Sequence, residues 1–156
     1  MNYIFRFVGN YDECDDIVQE TFVRVYYKKH TFKPIAKFST WIYTIASNLA
    51  KTRIRQRDRR KVFSFFQKQH PEEEFEITDT KYDLDRITNA IMVEEIVQNA
   101  LTKIPKKYRE AVILRDIQDL TYEDIAAILH TNSGTVKSRI NRGRALLKEL
   151  LKNYKF

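Results

Sequence analysis

The sequence predicts an all-α fold, with two small helical domains joined by a flexible acidic linker and a helix-turn-helix in the second. Three observations lead there. Only three Gly and three Pro occur in 156 residues, too few for the many tight turns of a β-sandwich. Apolar residues recur at spacings of three and four, and no sustained alternating run marks a sheet. The charge also changes sign twice along the chain, so two cationic segments flank an acidic one.

The elements follow in order. Residues 12 to 29 carry Ile17, Val18, Phe22, Val25 and Tyr26 on one apolar stripe, with Asp12, Glu13, Asp15 and Asp16 near the helix N-terminus, where carboxylates are favoured. Pro34 ends that pattern, and His30 to Lys37 reads as a loop. A long helix is predicted from about Phe38 to Arg60, its buried stripe including Trp41, Ile42, Ile45, Ala46 and Leu49. Beyond Ile54 arginines replace the apolar residues, so this helix is expected to leave its core as a cationic arm. Residues 62–86 contain Pro71 and lack a period; they read as a linker, with a short helical or aromatic contact at Val62, Phe63, Phe65 and Phe66. Helical spacing returns from Ile87 to Ile104, stops at Pro105, and resumes from Lys107 to Asp116. The predicted domains are 1–61 and 87–156.

Composition excludes several classes. The single cysteine, Cys14, permits no internal disulfide and fits a reducing compartment; no role is assigned to it. No apolar run approaches the roughly 20 residues of a membrane span, and no signal-peptide pattern opens the chain. A cytoplasmic protein is expected. No nucleophile–base pair, metal-ligand cluster or phosphate loop is present, so no enzyme activity, metal or cofactor is expected.

The net charge of +7 is unevenly spread. Between residues 37 and 61, eight cations face Asp58 alone; between 71 and 95, nine carboxylates face Lys81 and Arg86; from 131 onward, seven cations face Glu149. Two anionic contacts made by two modules explain this pattern, and so do two solvated helix faces.

The sharpest local signal runs from Leu120 to Leu151. Thr121 opens the capping-box pattern Thr-Tyr-Glu-Asp. The helix it starts presents Ile125, Ala126, Ile128 and Leu129; a short turn of His130, Thr131 and Asn132 follows, with Asn132 or Ser133 as the next cap. The second helix places Val136, Ile140, Leu146, Leu147 and Leu150 on its apolar side and Thr135, Lys137, Ser138, Arg139, Asn141 and Arg142 on the other. A helix-turn-helix sets such a face into a major groove, where Arg and Asn reach base edges and Lys and hydroxyls hold phosphates. The bland alternative is a helical hairpin with a solvated basic face; the capping box, small Ala126 and short turn favour DNA. His130 occupies the turn position often filled by Gly, so its backbone must avoid or tolerate positive φ.

In the first module Phe32, Phe38, Trp41 and Tyr43 precede Arg53 to Lys61, a combination suited to single-stranded nucleic acid. Trp41 taken alone reads rather as core. Asp16, Gln19 and Glu20 share an exposed helix face and read as a protein-contact surface more readily than a catalytic dyad.

Two stretches resemble a known family. Asp15-Asp16-Ile-Val-Gln19-Glu20-Thr-Phe22 and Phe38-Ser-Thr-Trp41-Ile-Tyr-Thr-Ile-Ala-Ser-Asn48-Leu-Ala look like the second conserved region of bacterial sigma factors. Leu101-Thr-Lys-Ile-Pro105 to Leu114, and Thr121 to Leu147 with Gly134-Thr-Val-Lys-Ser-Arg139, look like the fourth. With no recognisable domain between them, the chain is similar to the small extracytoplasmic-function group. The resemblance implies binding to core RNA polymerase, delivery to promoters and help in opening the duplex. It implies that Asp16, Gln19 and Glu20 contact the polymerase clamp helices. Phe32, Lys33, the loop through Lys37, and Asn48 would capture a flipped base of the −10 element, supported by Trp41. Arg53, Arg55 and Arg57 would hold nearby phosphates, the second helix of the helix-turn-helix would read the −35 element, and its domain would meet the polymerase flap. An anti-sigma factor is an expected partner. Family members carry a further helix before the position of Tyr3, so the first module is expected to be N-terminally short; Thr52 stands where many have Asp. An alternative reading is a helix-turn-helix regulator that acts without polymerase.

Promoter elements two helical turns apart are separated by roughly 70 Å. A flexible linker of about 25 residues typically spans about 25–30 Å and at most about 80–90 Å, so reaching both needs partial extension.

Overall fold

The structure, a computed structural model, describes residues 2–35, 37–67 and 85–154, all of whose regular elements are helical. The first helix, α1 (Asn2–Val8), has no counterpart in the sequence reading. Seven residues are too few to display a period, and Tyr3, Ile4, Phe7 and Val8 are all buried. A turn at Gly9, with φ of +76°, leads to Asn10, whose side chain caps α2 (Tyr11–Lys28) by accepting from the Glu13 N–H at 2.8 Å.

The stripe assigned to α2 is rotated. Cys14, Ile17 and Thr21 are buried, whereas Phe22 and Tyr26 are exposed and Val18 and Val25 only half-buried. Both α1 and the next long helix pack on α2, and their common contact line runs through Cys14 and Ile17. A short 3₁₀ turn, Lys29–Thr31, closes α2 and admits the Pro34 loop.

Helix α3 (Phe38–Gln67) is 30 residues long and continues past residue 61, so Val62 and Phe63 are exposed positions on it. The linker residues 68–84 lie outside the described residues. Its buried line is Thr40, Ala46, Ser47, Ala50 and Ile54; Trp41, Ile42, Ile45 and Leu49, assigned to the core from spacing, are half-buried. The small residues on that line allow α3 to approach α2 on one side and the helix-turn-helix on the other. Beyond Ile54, Arg55, Arg59 and Arg60 are exposed as a cationic arm requires, but one arginine turns inward. Arg57 is half-buried, donating to the Val8 carbonyl at 3.1 Å and to Glu13 at 3.0 Å.

Helix α4 (Asp85–Lys103) and α5 (Lys106–Val112) meet at Pro105, and α5 runs into a π turn, Ile113–Ile117. Helices α6 (Tyr122–Leu129) and α7 (Ser133–Leu151) complete the fold. On α7, Val136 and Ile140 are fully buried and Leu147 partly so, but Leu146 and Leu150 are exposed at 39 % and 36 %. The α5–α7 contact passes Gly143 and leaves the end of α7 uncovered.

Gly143 explains how closely these helices cross. A Cβ there would lie 2.5 Å from Val112 Cγ2 and 3.1 Å from the Tyr108 carbonyl oxygen. Gly143→Ala is therefore expected to lower stability by about 1–3 kcal/mol despite alanine's better helix propensity, because the overpacked backbone cannot give way cheaply. Thermal denaturation checks it, and an unchanged or raised midpoint would contradict the crossing geometry.

The two helical groups share one core. Tyr3, Phe7, Ile17, Ala50 and Ile54 belong to the same buried cluster as Leu101, Ile113, Leu114, Ile125 and Ile140. Helix α1 touches α4, α5 and the π turn, and α3 packs along α6. Nothing in the hydrophobic period announces this joint, because each group already has an amphipathic logic of its own.

Candidate functional site

In the helix-turn-helix, Thr121 Oγ1 accepts from the Asp124 N–H at 3.1 Å, as the capping pattern predicts. His130 adopts the left-handed conformation, φ 50° and ψ 52°, and its N–H reaches back to the carbonyls that end α6. The turn thus uses positive φ without glycine. Of the two possible caps for α7, Asn132 serves, accepting from the Thr135 N–H at 2.7 Å.

Helix α7 presents Lys137, Ser138, Asn141 and Arg142 exposed, with Thr135 and Arg139 half-buried. Thr135, Ser138, Arg139 and Arg142 border one hollow with Lys107 and Tyr108 of α5. Arg142 donates to the Tyr108 hydroxyl at 3.3 Å, and this bond, aided by Lys107, draws the phenol pKa downward. Asn141 is not among the residues bordering that hollow. Arg144, one turn further, is tied to Asp116 by bonds of 3.0 and 2.5 Å and buttresses the helix.

Phe32, Phe38 and Trp41 form a ring cluster at the start of α3, with centroid separations of 5.3, 5.4 and 5.8 Å. Trp41, read from spacing as core, is instead half-buried in this cluster. Trp41, Asn48 and Arg55 follow at intervals of seven, which places them along one line of α3. Asn48, Arg55 and Lys33 are exposed.

The remaining cations of that group are engaged within the chain. Lys37 pairs with Asp124 at 2.9 Å, Arg53 with Asp16 at 3.3 Å, and Arg57 with Glu13 at 3.0 Å. Asp16, Gln19 and Glu20 are exposed on one side of α2, with Glu20 also held by Arg24 at 2.7 Å. A shallow hollow between α2 and α3 brings these three beside Arg53.

The joint between the helical groups contains residues that the sequence reading missed. Glu110 of α5 is 3 % exposed, and its Oε1 accepts from Tyr3 Oη at 3.0 Å and Ser47 Oγ at 2.6 Å. Its Oε2 faces Lys51 Nζ at 3.1 Å. Burial first, and then the Glu110 charge, push the Tyr3 phenol well above its usual range, so Tyr3 stays a donor. Arg109 donates to the carbonyls of Phe7 at 3.0 Å, Ile104 at 3.1 Å and Thr102. Asp124 accepts from Lys37 and Thr40, both at 2.9 Å; chiefly the Lys37 bond, with help from the Thr121 and Thr40 hydroxyls, lowers its carboxyl pKa. One available signal was the adjacent Arg109-Glu110 pair just before the apolar run Ala111 to Leu114.

Two family models match successive stretches of the chain. Residues 1–60 match the family model of sigma-70 region 2, and residues 94–147 match that of sigma-70 region 4. The ECF RNA polymerase sigma factor SigW of Bacillus subtilis is 34 % identical over 154 residues, covering 96 % of this chain and 81 % of its own. The chain belongs to the ECF RNA polymerase sigma factors. As a member, it is a regulator of transcription initiation that works with core RNA polymerase and promoter DNA. SigE of Mycolicibacterium smegmatis, another ECF sigma factor, is 33 % identical over 147 residues; the match covers 94 % of this chain and 55 % of SigE.

The fold comparison covers this sigma factor almost end to end. The sigma factor RpoE of Bartonella quintana, solved with the anti-sigma factor NepR, superposes with a TM-score of 0.75 at 29 % identity, covering 99 % of this chain and 90 % of that one. CnrH, solved with the cytosolic domain of CnrY, gives 0.67 at 25 % identity and 98 % and 80 % coverage. Among the described residues of this sigma factor, no helix is long and apolar enough to cross a membrane.

Proposed function

We propose that this sigma factor divides its work between residues 1–61, which contact the polymerase clamp helices and the −10 element, and 87–156, which contact the −35 element and the flap, with 62–86 as the tether. Asp16, Gln19 and Glu20 meet the clamp. Phe32, Lys33, Lys37, Trp41 and Asn48 capture a flipped −10 base, whose unstacking costs a few kcal/mol that the pocket offsets; Arg53, Arg55 and Arg57 hold neighbouring phosphates. Thr135, Lys137, Ser138, Arg139, Asn141 and Arg142 read and hold the −35 element. The protein acts in the cytoplasm and has no catalytic chemistry of its own, and an anti-sigma factor restrains it.

The observation that carries this reading is the α7 face. Its polar side chains lie beside the cap at Asn132, and four of its six proposed contacts are exposed. The packed arrangement of the two groups also bears on the mechanism. Elements roughly 70 Å apart cannot both be met while α3 lies against α6, so engagement requires the groups to part. Lys37, whose partner Asp124 lies across that joint, would then exchange it for a phosphate.

In vitro transcription with core polymerase on a promoter library tests the reading. Arg139→Ala is expected to weaken discrimination at the −35 element by about 1–3 kcal/mol if Arg139 reads a base; uniform weakening on all sequences would make it a phosphate contact. Failure of the protein to capture core polymerase in a pull-down would leave instead a helix-turn-helix regulator acting alone.

A further inference from the structure

A cleft of about 520 Å³ opens where α3, α5 and α7 meet. Five cations border it: Lys51 and Arg55 from α3, Lys106 and Lys107 from α5, and Arg139 from α7. Two are compensated, Lys51 by Glu110 at 3.1 Å and Lys106 by Asp58. The other three have no carboxylate partner among the described residues. Arg55 reaches only the Thr52 hydroxyl, at 3.3 Å, and Lys107 lies over the Tyr108 ring at 4.9 Å. Phe7 and Ile54 contribute apolar walls, and the cations crowded at the rim repel one another and attract an anion.

The shape and the charge select the ligand. The volume lies within the ~300–1,000 Å³ of small-molecule sites and is far too small for a duplex. Guanidinium groups match phosphate oxygens in a two-pronged fashion, and lysine adds a mobile point charge. Three uncompensated cations on three different helices call for more than one phosphate group. We propose that this cleft binds a small oligophosphate, inorganic or carried by a nucleotide, which bridges α3 to α5 and α7 and holds the two helical groups together. Asn48 and Arg139 form part of its wall. On the promoter reading above, the same ligand competes with DNA; the binding itself does not depend on that reading.

The experiment is calorimetric titration of the full chain with sodium tripolyphosphate, with ATP, and with sodium sulfate at matched ionic strength. Tripolyphosphate is expected to bind with one-to-one stoichiometry and to raise the melting temperature, and sulfate to do neither. The variant Lys106→Gln with Lys107→Gln should weaken tripolyphosphate at least tenfold, whereas Lys107→Arg should retain it. Without ligand the double variant should melt close to the parent, since the Lys106–Asp58 pair is half-exposed. ATP binding as well as tripolyphosphate would locate recognition in the phosphates, and tighter ATP binding would add a nucleoside contact. Diffuse attraction to a basic chain predicts little change when two of 28 cations are removed. An unaltered affinity in the double variant, or an equal response to sulfate, overturns the proposal. Neither polymerase nor promoter enters the assay, so its failure is distinct from failure of the promoter reading.

Discussion

Glu110→Ala should lower the stability of the fold by about 3–5 kcal/mol, the cost of breaking a buried charged pair by removing one partner. The substitution strands the Tyr3 hydroxyl and Ser47 Oγ without their acceptor and removes the charge facing Lys51. Lys51 is 35 % exposed and can turn to water, which places the loss nearer the lower figure. In urea, where small proteins unfold with slopes of about 1–3 kcal/mol per molar, the midpoint should fall by at least about 1 M. Because the carboxylate joins α1, α3 and α5, fluorescence of Trp41 and helical circular dichroism should lose their coincidence as the joint weakens before the separate groups unfold. Glu110→Gln keeps one acceptor oxygen and should cost less than half as much. A Glu110→Ala midpoint equal to the parent's would show that the three donors gain nothing from this carboxylate.

Arg109→Lys should cost about 2 kcal/mol although it preserves the charge. The guanidinium spans three carbonyls, those of Phe7, Thr102 and Ile104, which belong to the ends of α1 and α4. Helix C-termini leave carbonyls without intrahelical partners and favour a cation there. A single ammonium cannot reproduce the planar fork that reaches two helix ends at once. Burial pulls the arginine pKa down, and its Nε is buried without an acceptor, so the group also carries a standing desolvation cost. That cost keeps the net loss below the sum of three hydrogen bonds. Hydrogen exchange provides the specific readout: amides at the ends of α1 and α4 should lose protection more than those of α7. Uniform loss along the chain would mean that Arg109 acts on global stability alone.

Much of the architecture was legible because it rests on local rules. Pro34 and Pro105 fall between helices, and Thr121 and Asn132 cap where residue chemistry places them. The polar side of α7 was readable for the same reason, since the period that buries Val136 and Ile140 turns Lys137, Ser138, Asn141 and Arg142 outward. The errors share another cause. Phe22, Tyr26, Trp41 and Leu146 were assigned inward because they are large and apolar, yet the buried lines run through Cys14, Thr21, Ala46, Ser47 and Ala50. Close helix approach selects small residues, and hydrophobicity alone does not mark them. Glu110 and Arg109 lay further out of reach. Their partners are up to 107 residues away, at Tyr3 and Phe7, and a tertiary pairing of that separation leaves no trace in local spacing.

The π turn at Ile113–Ile117 has a consequence for how this chain tolerates changes of length. Its wide bond, from the Gln118 N–H to the Ile113 carbonyl at 3.0 Å, accommodates an extra residue in the last turn, and the Leu120 N–H then closes the helix end on the Leu114 carbonyl at 3.1 Å where Asp119 takes positive φ. The turn delivers Gln118 to Tyr43, whose hydroxyl donates to it at 2.6 Å. Deleting one residue would restore ordinary winding and swing α6 and α7 by about 100° around the α5 axis. Every other side chain would survive such a deletion, but the polar face of α7 would point elsewhere. In these five residues the number of amino acids is specified as strictly as their identity.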